Sequence, residues 1–274
     1  MGSIRVIVLT GYGLNCDIET SFAFEKAGGI PDRVHINALI DRPAMLDDYQ
    51  IMVLGGGFSW GDDHGAGVIE SVRLKTRIKN EILAFVEKKR LVLGICNGFQ
   101  TLANLGLLPG FDQNYDTRSV ALTYNDCGNF RDQWVNLAID TKSPCVFTRG
   151  IKQIELPVRH GEGKFYTDDD TLSRLEENRQ VVMRYSKPAG SLADGVFPFN
   201  PNGSLNDIAG ICDASGRIFG LMPHPEAFNH PSNHPDWSGQ KDMDRRQRNG
   251  KNLPGQKLHM QTGILLFKNA VSYF

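Results

Sequence analysis

The sequence predicts an α/β protein in which helices cover a mainly parallel β-sheet. Residues 6–9 and 51–54 are continuous apolar runs, which is typical of strands that are buried on both faces. Between these runs, Ile18, Phe22 and Ala27 mark one face of a predicted helix that ends before two glycines. Buried strands that alternate with helices indicate a parallel sheet, and ligands of such sheets bind beyond the carboxyl ends of the strands.

The following elements extend this pattern. A long helix with one apolar face is predicted ahead of a strand at residues 91–93. The runs at 119–123 and 134–139 flank a turn-rich loop, which predicts inserted antiparallel strands. Further strands are predicted at residues 34–36, 154–158, 181–185 and 218–222, a short helix at 171–177, a turn at 200–204 and a final helix at about 258–271.

The composition argues against several function classes. The chain has 274 residues, of which 30 are Lys or Arg and 31 are Asp or Glu, so it offers no electrostatic footprint for nucleic acid or an anionic membrane. Its apolar runs are far shorter than the roughly 18 to 20 residues of a spanning helix. The five cysteines are odd in number and lack C-x-x-C spacing, which argues against a disulfide framework and against a zinc site and predicts a cytoplasmic protein.

Cys96 lies at the predicted corner between the strand at residues 91–93 and the helix that follows. Gly94 and Gly98 flank it with the spacing of a nucleophile elbow, where missing side chains permit a sharp turn that presents the central residue. The N-terminus of a helix beside the sulfur favours the thiolate form. A buried structural cysteine is the alternative that this stretch alone leaves open.

A glycine-rich loop follows the strand at residues 51–54. Gly55, Gly56 and Gly57 let the backbone approach a ligand closely and turn N–H groups toward it, which suits a phosphate or an oxyanion. No Lys-Ser or Lys-Thr of a Walker motif follows, so a nucleotide loop ranks lower. A merely flexible loop is the third interpretation.

His224 follows the predicted strand at residues 218–222 and lies between two prolines, which stiffen its backbone. Glu226 comes two residues later, where its carboxylate can orient the imidazole. Because Cys96 also follows a strand of the predicted sheet, the three residues predict a nucleophile, a general base and an orienting carboxylate.

A second polar loop with glycines is predicted at residues 160–165. His160 and Glu162 lie in it, directly after a predicted strand. Two interpretations stay open: the residues form a tight turn, or their side chains reach the active site.

These motifs together resemble those of the class I, triad-type glutamine amidotransferases. The resemblance rests on residues 94–100 and 223–226, and the stretches 55–62, 160–163 and 200–204 narrow it to the glutaminase components of phosphoribosylformylglycinamidine synthases. It covers roughly residues 4–228 and implies a flavodoxin-like three-layer sandwich. The implied organisation is one glutamine amidotransferase domain over residues 1–274, with a C-terminal extension at about 229–274.

The resemblance also implies roles for individual residues. Cys96 would attack the amide carbon of L-glutamine, His224 would transfer the proton, and Glu226 would orient His224. The oxyanion hole and substrate pocket would include Gly56, Gly57, Phe58, Asn97, Gln100 and Asn125. No metal ligand is implied.

The implied activity is the hydrolysis of glutamine, and its product ammonia would be used by a second protein. Ammonia would pass to a large ATP-dependent synthetase subunit, where ATP and magnesium are expected, so this chain itself would need no cofactor. A small third subunit is expected to bridge the two in many such assemblies. The alternatives are a cysteine hydrolase, peptidase or stress protein of the related superfamily, a glutaminase that serves another synthetase, and a binding module with an inactive site.

Two regions depart from the pattern of the family. Cys127 and Asn129 stand where serine and arginine are usual, and Arg131 is a candidate to compensate. In the extension, His230 and His234 each precede a proline, so a solvated loop is expected there rather than a metal site. We hypothesise that the extension contacts the partner subunit or covers the site.

Overall fold

The computed structural model describes residues 3–247 and 262–274, which form a nine-stranded mixed sheet, a two-stranded sheet and seven α-helices. The strands are β1 (Arg5–Thr10), β2 (Ile30–His35), β3 (Ile51–Leu54), β4 (Leu91–Ile95), β5 (Ala121–Tyr124), β6 (Arg131–Ile139), β7 (Gln153–His160), β8 (Glu162–Tyr166), β9 (Val181–Ser186), β10 (Ile208–Cys212) and β11 (Ile218–Leu221). The helices are α1 (Asp17–Ala27), α2 (Ile36–Asp41), α3 (Val68–Glu87), α4 (Asn97–Leu105), α5 (Asp169–Glu177), α6 (Trp237–Gln247) and α7 (Ile264–Val271).

The larger sheet has the strand order β2-β1-β3-β4-β11-β10-β9-β6-β7. Its first five strands are parallel and follow the 2-1-3-4-5 order of flavodoxin-like folds. From β10 onward each strand runs antiparallel to its neighbour, so the carboxyl end of β7 lies at the same edge as those of β4 and β11. Helices cover both faces, with α1 packed on α7 and α3 packed on α4. The predicted α/β sandwich with inserted antiparallel strands is confirmed.

The core follows from the apolar runs of the central strands. Every residue of β3, β4, β10 and β11 is buried, as expected for strands covered on both faces. The edge strand β2 is exposed or half-buried throughout and carries Asp32 and Arg33, and such charges oppose pairing with another chain. Across the described residues, no helix is both long and apolar enough to cross a bilayer.

Helix α1 forms where predicted but buries a different face. Ile18 and Phe22 are 66% and 41% exposed, whereas Ala23 and Phe24 are fully buried. Phe24 packs edge-to-face against Phe267 of α7, with 4.9 Å between the ring centroids. The predicted face is therefore wrong, because the helix that covers α1 comes from the far end of the chain.

The inserted region contains more regular structure than the prediction. The prediction of a loop at residues 160–165 is wrong, because β7 extends to His160 and β8 begins at Glu162. The two predicted antiparallel strands exist as β5 and β6. They lie in different sheets, since β5 pairs with β8 while β6 pairs with β7 and β9. The buried strand β10 has no counterpart among the predicted elements.

The C-terminal extension packs against the sheet. His234 is only 5% exposed, its Nε2 atom lies 3.1 Å from Oε2 of Glu155 on β7, and its ring meets Trp134 of β6 edge-on. The expected solvated loop is therefore wrong at His234, although His230 is exposed. Helix α6 has no counterpart among the predicted elements, and the predicted start of the final helix, at 258–261, lies outside the described residues. The contact with a partner subunit stays a prediction.

The first turn of α4 lies directly against the end of β3. An ideal Cβ atom on Gly98 would come 1.9 Å from the backbone oxygen of Leu54, and one on Gly94 would come 2.7 Å from the carbonyl carbon of Gly98. The Gly98 N–H group donates to the Gly55 oxygen at 3.1 Å. Both elbow glycines are therefore required by backbone packing.

The substitution Gly98→Ala tests this contact. We expect a loss of about 2–4 kcal/mol in the free energy of unfolding, because the added methyl group meets backbone rather than a movable side chain. Urea unfolding followed by circular dichroism measures the change. Gly161→Ala is the matched control, since no heavy atom lies within 4 Å of its ideal Cβ position. Equal stability of the two variants would contradict the packing argument.

Glu70 is a buried carboxyl group behind the elbow helix. It has no exposed surface, and Oε2 accepts a hydrogen bond of 2.8 Å from the Thr101 hydroxyl of α4. In the part of the chain that the structure describes, Oε1 has no partner. Burial raises the pKa of Glu70 from 4.5 to about 7, against the opposing effect of the Thr101 hydrogen bond. The folded state therefore favours the neutral acid.

The stability of the fold should depend on the protonation of Glu70. Because the pKa is raised on folding, the folded protein holds this proton more tightly and loses stability as the pH rises from about 4.5 through about 7. Glu70→Gln removes that loss. We measure the free energy of unfolding of both proteins by urea at pH 5 and at pH 8. The difference, variant minus parent, should be about 2–3 kcal/mol larger at pH 8 than at pH 5. An unchanged difference at the two pH values would contradict an ionisable, buried Glu70.

Candidate active site

Cys96 occupies the sharp turn between β4 and α4. Its backbone has φ 50° and ψ −104°, a conformation that non-glycine residues rarely adopt. The Cys96 N–H group donates to the Leu221 oxygen at the end of β11, at 2.8 Å, and the side chain is 4% exposed. Its Sγ atom lies 3.7 Å from the Arg159 oxygen near the end of β7. The turn therefore holds the thiol at the edge where three strands end.

His224 and Glu226 form a buried pair at the end of β11. The Nδ1 atom of His224 lies 2.5 Å from Oε1 of Glu226, and both side chains are almost completely buried. Among the described residues, Nε2 of His224 has no hydrogen-bond partner, so this nitrogen is available to a reacting group. The backbone N–H of His224 donates to the Pro157 oxygen at 2.8 Å, which ties the imidazole to β7.

The surroundings of His224 favour its protonated form. Burial alone would lower the pKa of the imidazole, but attraction to Glu226, and then to Cys96, raises it well above its ordinary value. The predicted nucleophile is therefore close enough to the predicted base to raise its pKa. A base in this setting can hold the proton that it takes from the thiol.

Two further residues enclose the imidazole. Sγ of Cys16, at the N-terminus of α1, lies 3.9 Å from Nδ1 of His224. An ideal Cβ atom on Gly56 would lie 2.6 Å from Cε1 of His224 and 3.1 Å from Sγ of Cys16. Gly56 is therefore required for the close approach of the loop to both side chains.

Two backbone N–H groups are the predicted donors of an oxyanion hole. Within the described ranges 3–247 and 262–274, neither the Gly57 N–H nor the Asn97 N–H donates to a protein acceptor. The neighbouring Phe58 N–H is already used, because it donates to the Gly13 oxygen at 2.9 Å. Oδ1 of Asn97 accepts a hydrogen bond of 3.1 Å from the Ser59 N–H, which links the elbow to the glycine loop.

The other predicted pocket residues differ in their surroundings. Gln100 is buried, and its side-chain amide donates to the backbone oxygen of Glu162. Phe58 is 41% exposed and faces Phe130 with 6.0 Å between the ring centroids, so it lies toward the surface. The carboxylate of Glu162 accepts a hydrogen bond of 3.2 Å from the Ala66 N–H.

The side chain of Asn125 is bound by protein groups on both ends. Nδ2 donates to the oxygens of Asn129 and His160, and Oδ1 accepts from the Gly163 N–H at 3.0 Å and lies 3.1 Å from Nδ1 of His160. Burial, together with the nearby His224, lowers the pKa of His160 to about 3, so its imidazole is neutral. These contacts favour a structural role for Asn125 over a direct contact with substrate.

The departure at residues 127–131 also has a structural account. Nε of Arg131 donates to Sγ of Cys127 at 3.2 Å, and its guanidinium stacks on Phe197, 4.5 Å from the ring centroid. Asn129 contributes its backbone oxygen to Asn125. Arg131 therefore contacts this loop through Cys127, and its compensation for the departure stays a prediction.

Sequence reasoning missed Cys16 and Gly13. An ideal Cβ atom on Gly13 would lie 2.3 Å from the Phe58 oxygen, so this glycine lets the loop after β1 approach the glycine loop. The available signal was topological: β1 lies beside β3, so the residues that follow both strands meet at one edge of the sheet.

Comparisons with known proteins agree with this geometry. The chain matches the family model of the CobB/CobQ-like glutamine amidotransferase domain over residues 3–274. It is 43% identical over 270 residues to the phosphoribosylformylglycinamidine synthase subunit PurQ of Methanococcus maripaludis, which covers 98% of this chain and 97% of that protein. The PurQ subunit of Dehalococcoides mccartyi is 44% identical over 237 residues, or 86% of this chain and 90% of the relative.

A solved structure supports the same relationship. The structure of PurLQS from Thermotoga maritima contains a chain that superposes with a TM-score of 0.70 and 29% identity, over 99% of both chains. The predicted resemblance to the glutamine amidotransferases is thus confirmed by sequence and by fold. The chain belongs to the family of CobB/CobQ-like glutamine amidotransferase domains.

Proposed function

We propose that the protein is the glutaminase subunit of a phosphoribosylformylglycinamidine synthase, which supplies ammonia for purine (IMP) biosynthesis. The observation that carries this proposal is the buried His224–Glu226 pair beside the elbow cysteine, Cys96. The relatives named PurQ, which match nearly the whole chain, support the assignment to this synthase rather than to another glutamine-dependent enzyme.

In the first half of the reaction, the thiolate of Cys96 attacks the amide carbon of glutamine. His224 takes the thiol proton through Nε2, which has no hydrogen-bond partner among the described residues, while Glu226 holds Nδ1–H. The amide oxygen becomes an oxyanion, for which the Gly57 and Asn97 N–H groups are the donors. In comparable sites one such donor contributes on the order of 3 kcal/mol to the transition state.

In the second half, ammonia leaves and water completes the hydrolysis. His224 returns its proton to the departing nitrogen, and a thioester between Cys96 and the glutamyl group remains. Water attacks the thioester carbon with His224 again as base, which releases glutamate and restores the thiol. Gln100 lies four residues after Cys96 on the same helix, where its amide supports the bound substrate.

The ammonia is used by a partner. We place ATP and magnesium on a large synthetase subunit, so that this chain needs no cofactor to hydrolyse glutamine. The similarity to a chain in the structure of PurLQS from Thermotoga maritima supports an assembly with such a subunit. A small third subunit that bridges the two is part of the proposal. Assembly of this kind fits a cytoplasmic location, which stays part of the proposal.

Cys96→Ala should separate the use of glutamine from the use of ammonia. With a cognate synthetase subunit, we expect glutamine-dependent formation of formylglycinamidine ribonucleotide to fall by a factor on the order of 10³ or more. Synthesis from added ammonium chloride should persist, because free ammonia bypasses the thiol. Cys127→Ala is the control, since its thiol contacts Arg131 and lies outside the triad. Retention of glutamine use by Cys96→Ala would refute the proposal.

Glu226→Gln should impair turnover more than binding. The amide keeps the shape of the side chain but can donate to Nδ1, which selects the wrong tautomer of His224. Steady-state glutaminase assays of the complex should show a decrease in kcat by a factor on the order of 10² to 10⁴, with KM changed by only a few-fold. Glu155→Gln, beside the structural His234, is the matched control. A parental kcat in Glu226→Gln would exclude an orienting role.

A further inference from the structure

Cys16 adds a third metal-binding atom to the pair formed by His224 and Glu226. Sγ of Cys16 lies 3.9 Å from Nδ1 of His224, which lies 2.5 Å from Oε1 of Glu226, and one ligand atom from each residue falls within 4.8 Å of the others. All three side chains are at most 6% exposed. The proposed glutaminase reaction uses His224 and Glu226 but gives no role to the thiol of Cys16.

The donor set matches the preferences of zinc. A thiolate, an imidazole nitrogen and a carboxylate are the ligands that Zn²⁺ commonly takes, at about 2.3, 2.0 and 2.0 Å, so ligand atoms of a tetrahedral site lie about 3.3–3.6 Å apart. The Cys16–His224 separation exceeds this spacing by only a few tenths of an ångström. The His224–Glu226 separation must widen by somewhat less than 1 Å.

Charge and space also favour a divalent cation. The thiolate of Cys16 and the carboxylate of Glu226 together neutralise two positive charges, which removes most of the cost of burying the ion. Gly56 provides space, since a Cβ atom there would lie 3.1 Å from Sγ of Cys16 and 3.2 Å from Nδ1 of His224. A metal held between these two atoms would therefore lie beside bare backbone.

We propose that Cys16, His224 and Glu226 form an inhibitory site for Zn²⁺ or a similar soft divalent cation. The metal replaces the proton between Nδ1 and Glu226 and the proton on Cys16, and both protons leave to the buffer. A neutral imidazole that binds metal through Nδ1 carries its proton on Nε2. It can then no longer accept the proton of Cys96, so glutamine hydrolysis stops.

Metal binding is tested in a protein without the catalytic thiol. The full-length Cys96→Ala variant, free of any histidine tag, is titrated with Co²⁺, whose thiolate charge-transfer absorption reports a sulfur ligand. We expect one equivalent to bind with this absorption. Cys16→Ala and Cys16→Ser in the same background should lose the absorption and bind at least 10-fold more weakly, whereas Cys127→Ala in that background should bind normally.

The binding experiment has two outcomes that overturn the proposal. One is Co²⁺ affinity and thiolate absorption that are unchanged by both Cys16 substitutions. The other is the absence of Co²⁺ binding by Cys96→Ala, which would show that Cys16, His224 and Glu226 do not hold the metal by themselves. Circular dichroism of each variant establishes whether it is folded. If Cys16→Ala is unfolded, Cys16→Ser provides the test, because serine is close to cysteine in volume.

Inhibition is tested in the assembled enzyme and rests on the proposed function. Zn²⁺ should inhibit the glutaminase reaction reversibly, with recovery after a chelator is added. Each variant is compared with its own metal-free rate, and Cys16→Ser should need at least 10-fold more Zn²⁺ for half inhibition. Equal sensitivity of the parent enzyme and Cys16→Ser to Zn²⁺ would overturn the inhibitory role. A parent enzyme that is inactive without metal would count against the proposed function, and the Co²⁺ titration would then decide the metal site.

Discussion

The contact between the first turn of α4 and the end of β3 determines the geometry of the whole site. Only glycine at position 98 lets the helix backbone reach the Leu54 oxygen, and the Gly98 N–H then donates to Gly55. That contact brings the elbow and the glycine loop together. The Asn97 and Gly57 N–H groups, one from each element, are the proposed oxyanion donors, so their relative position depends on this contact.

Other backbone hydrogen bonds fix the positions of Cys96 and His224. Cys96 donates its N–H to the end of β11, and His224 donates its N–H to β7, so both residues are fixed by strands rather than by mobile loops. The C-terminal segment reinforces this arrangement: Gly263 donates to the Phe228 oxygen, and a side chain at Gly263 would meet the Pro225 oxygen at 2.0 Å. The extension thus supports the turn that carries Glu226.

The sequence predicted those parts of the fold that depend on local apolar patterns. The strands β3, β4 and β11 are continuous apolar runs, and their burial on both faces makes the pattern unambiguous. The buried face of α1 was not predictable, since it depends on Phe267 of α7. His234 was misjudged for the same reason, because Trp134 lies 100 positions earlier in the numbering. For the site, Cys96, His224 and Glu226 were predictable from flanking glycines and prolines, whereas Cys16 has no such local signature.

The position of Cys16 shows that a general base and a metal ligand require similar surroundings. The features that make His224 a base, burial beside a carboxylate and proximity to a thiol, are also those of a zinc ligand. Which chemistry prevails depends on what occupies Nδ1. Burial raises the pKa of Cys16 to about 11, so at neutral pH it is a thiol that does not compete with Glu226 for the Nδ1 proton. The proton therefore stays between His224 and Glu226 until a cation strong enough to deprotonate Cys16 displaces it.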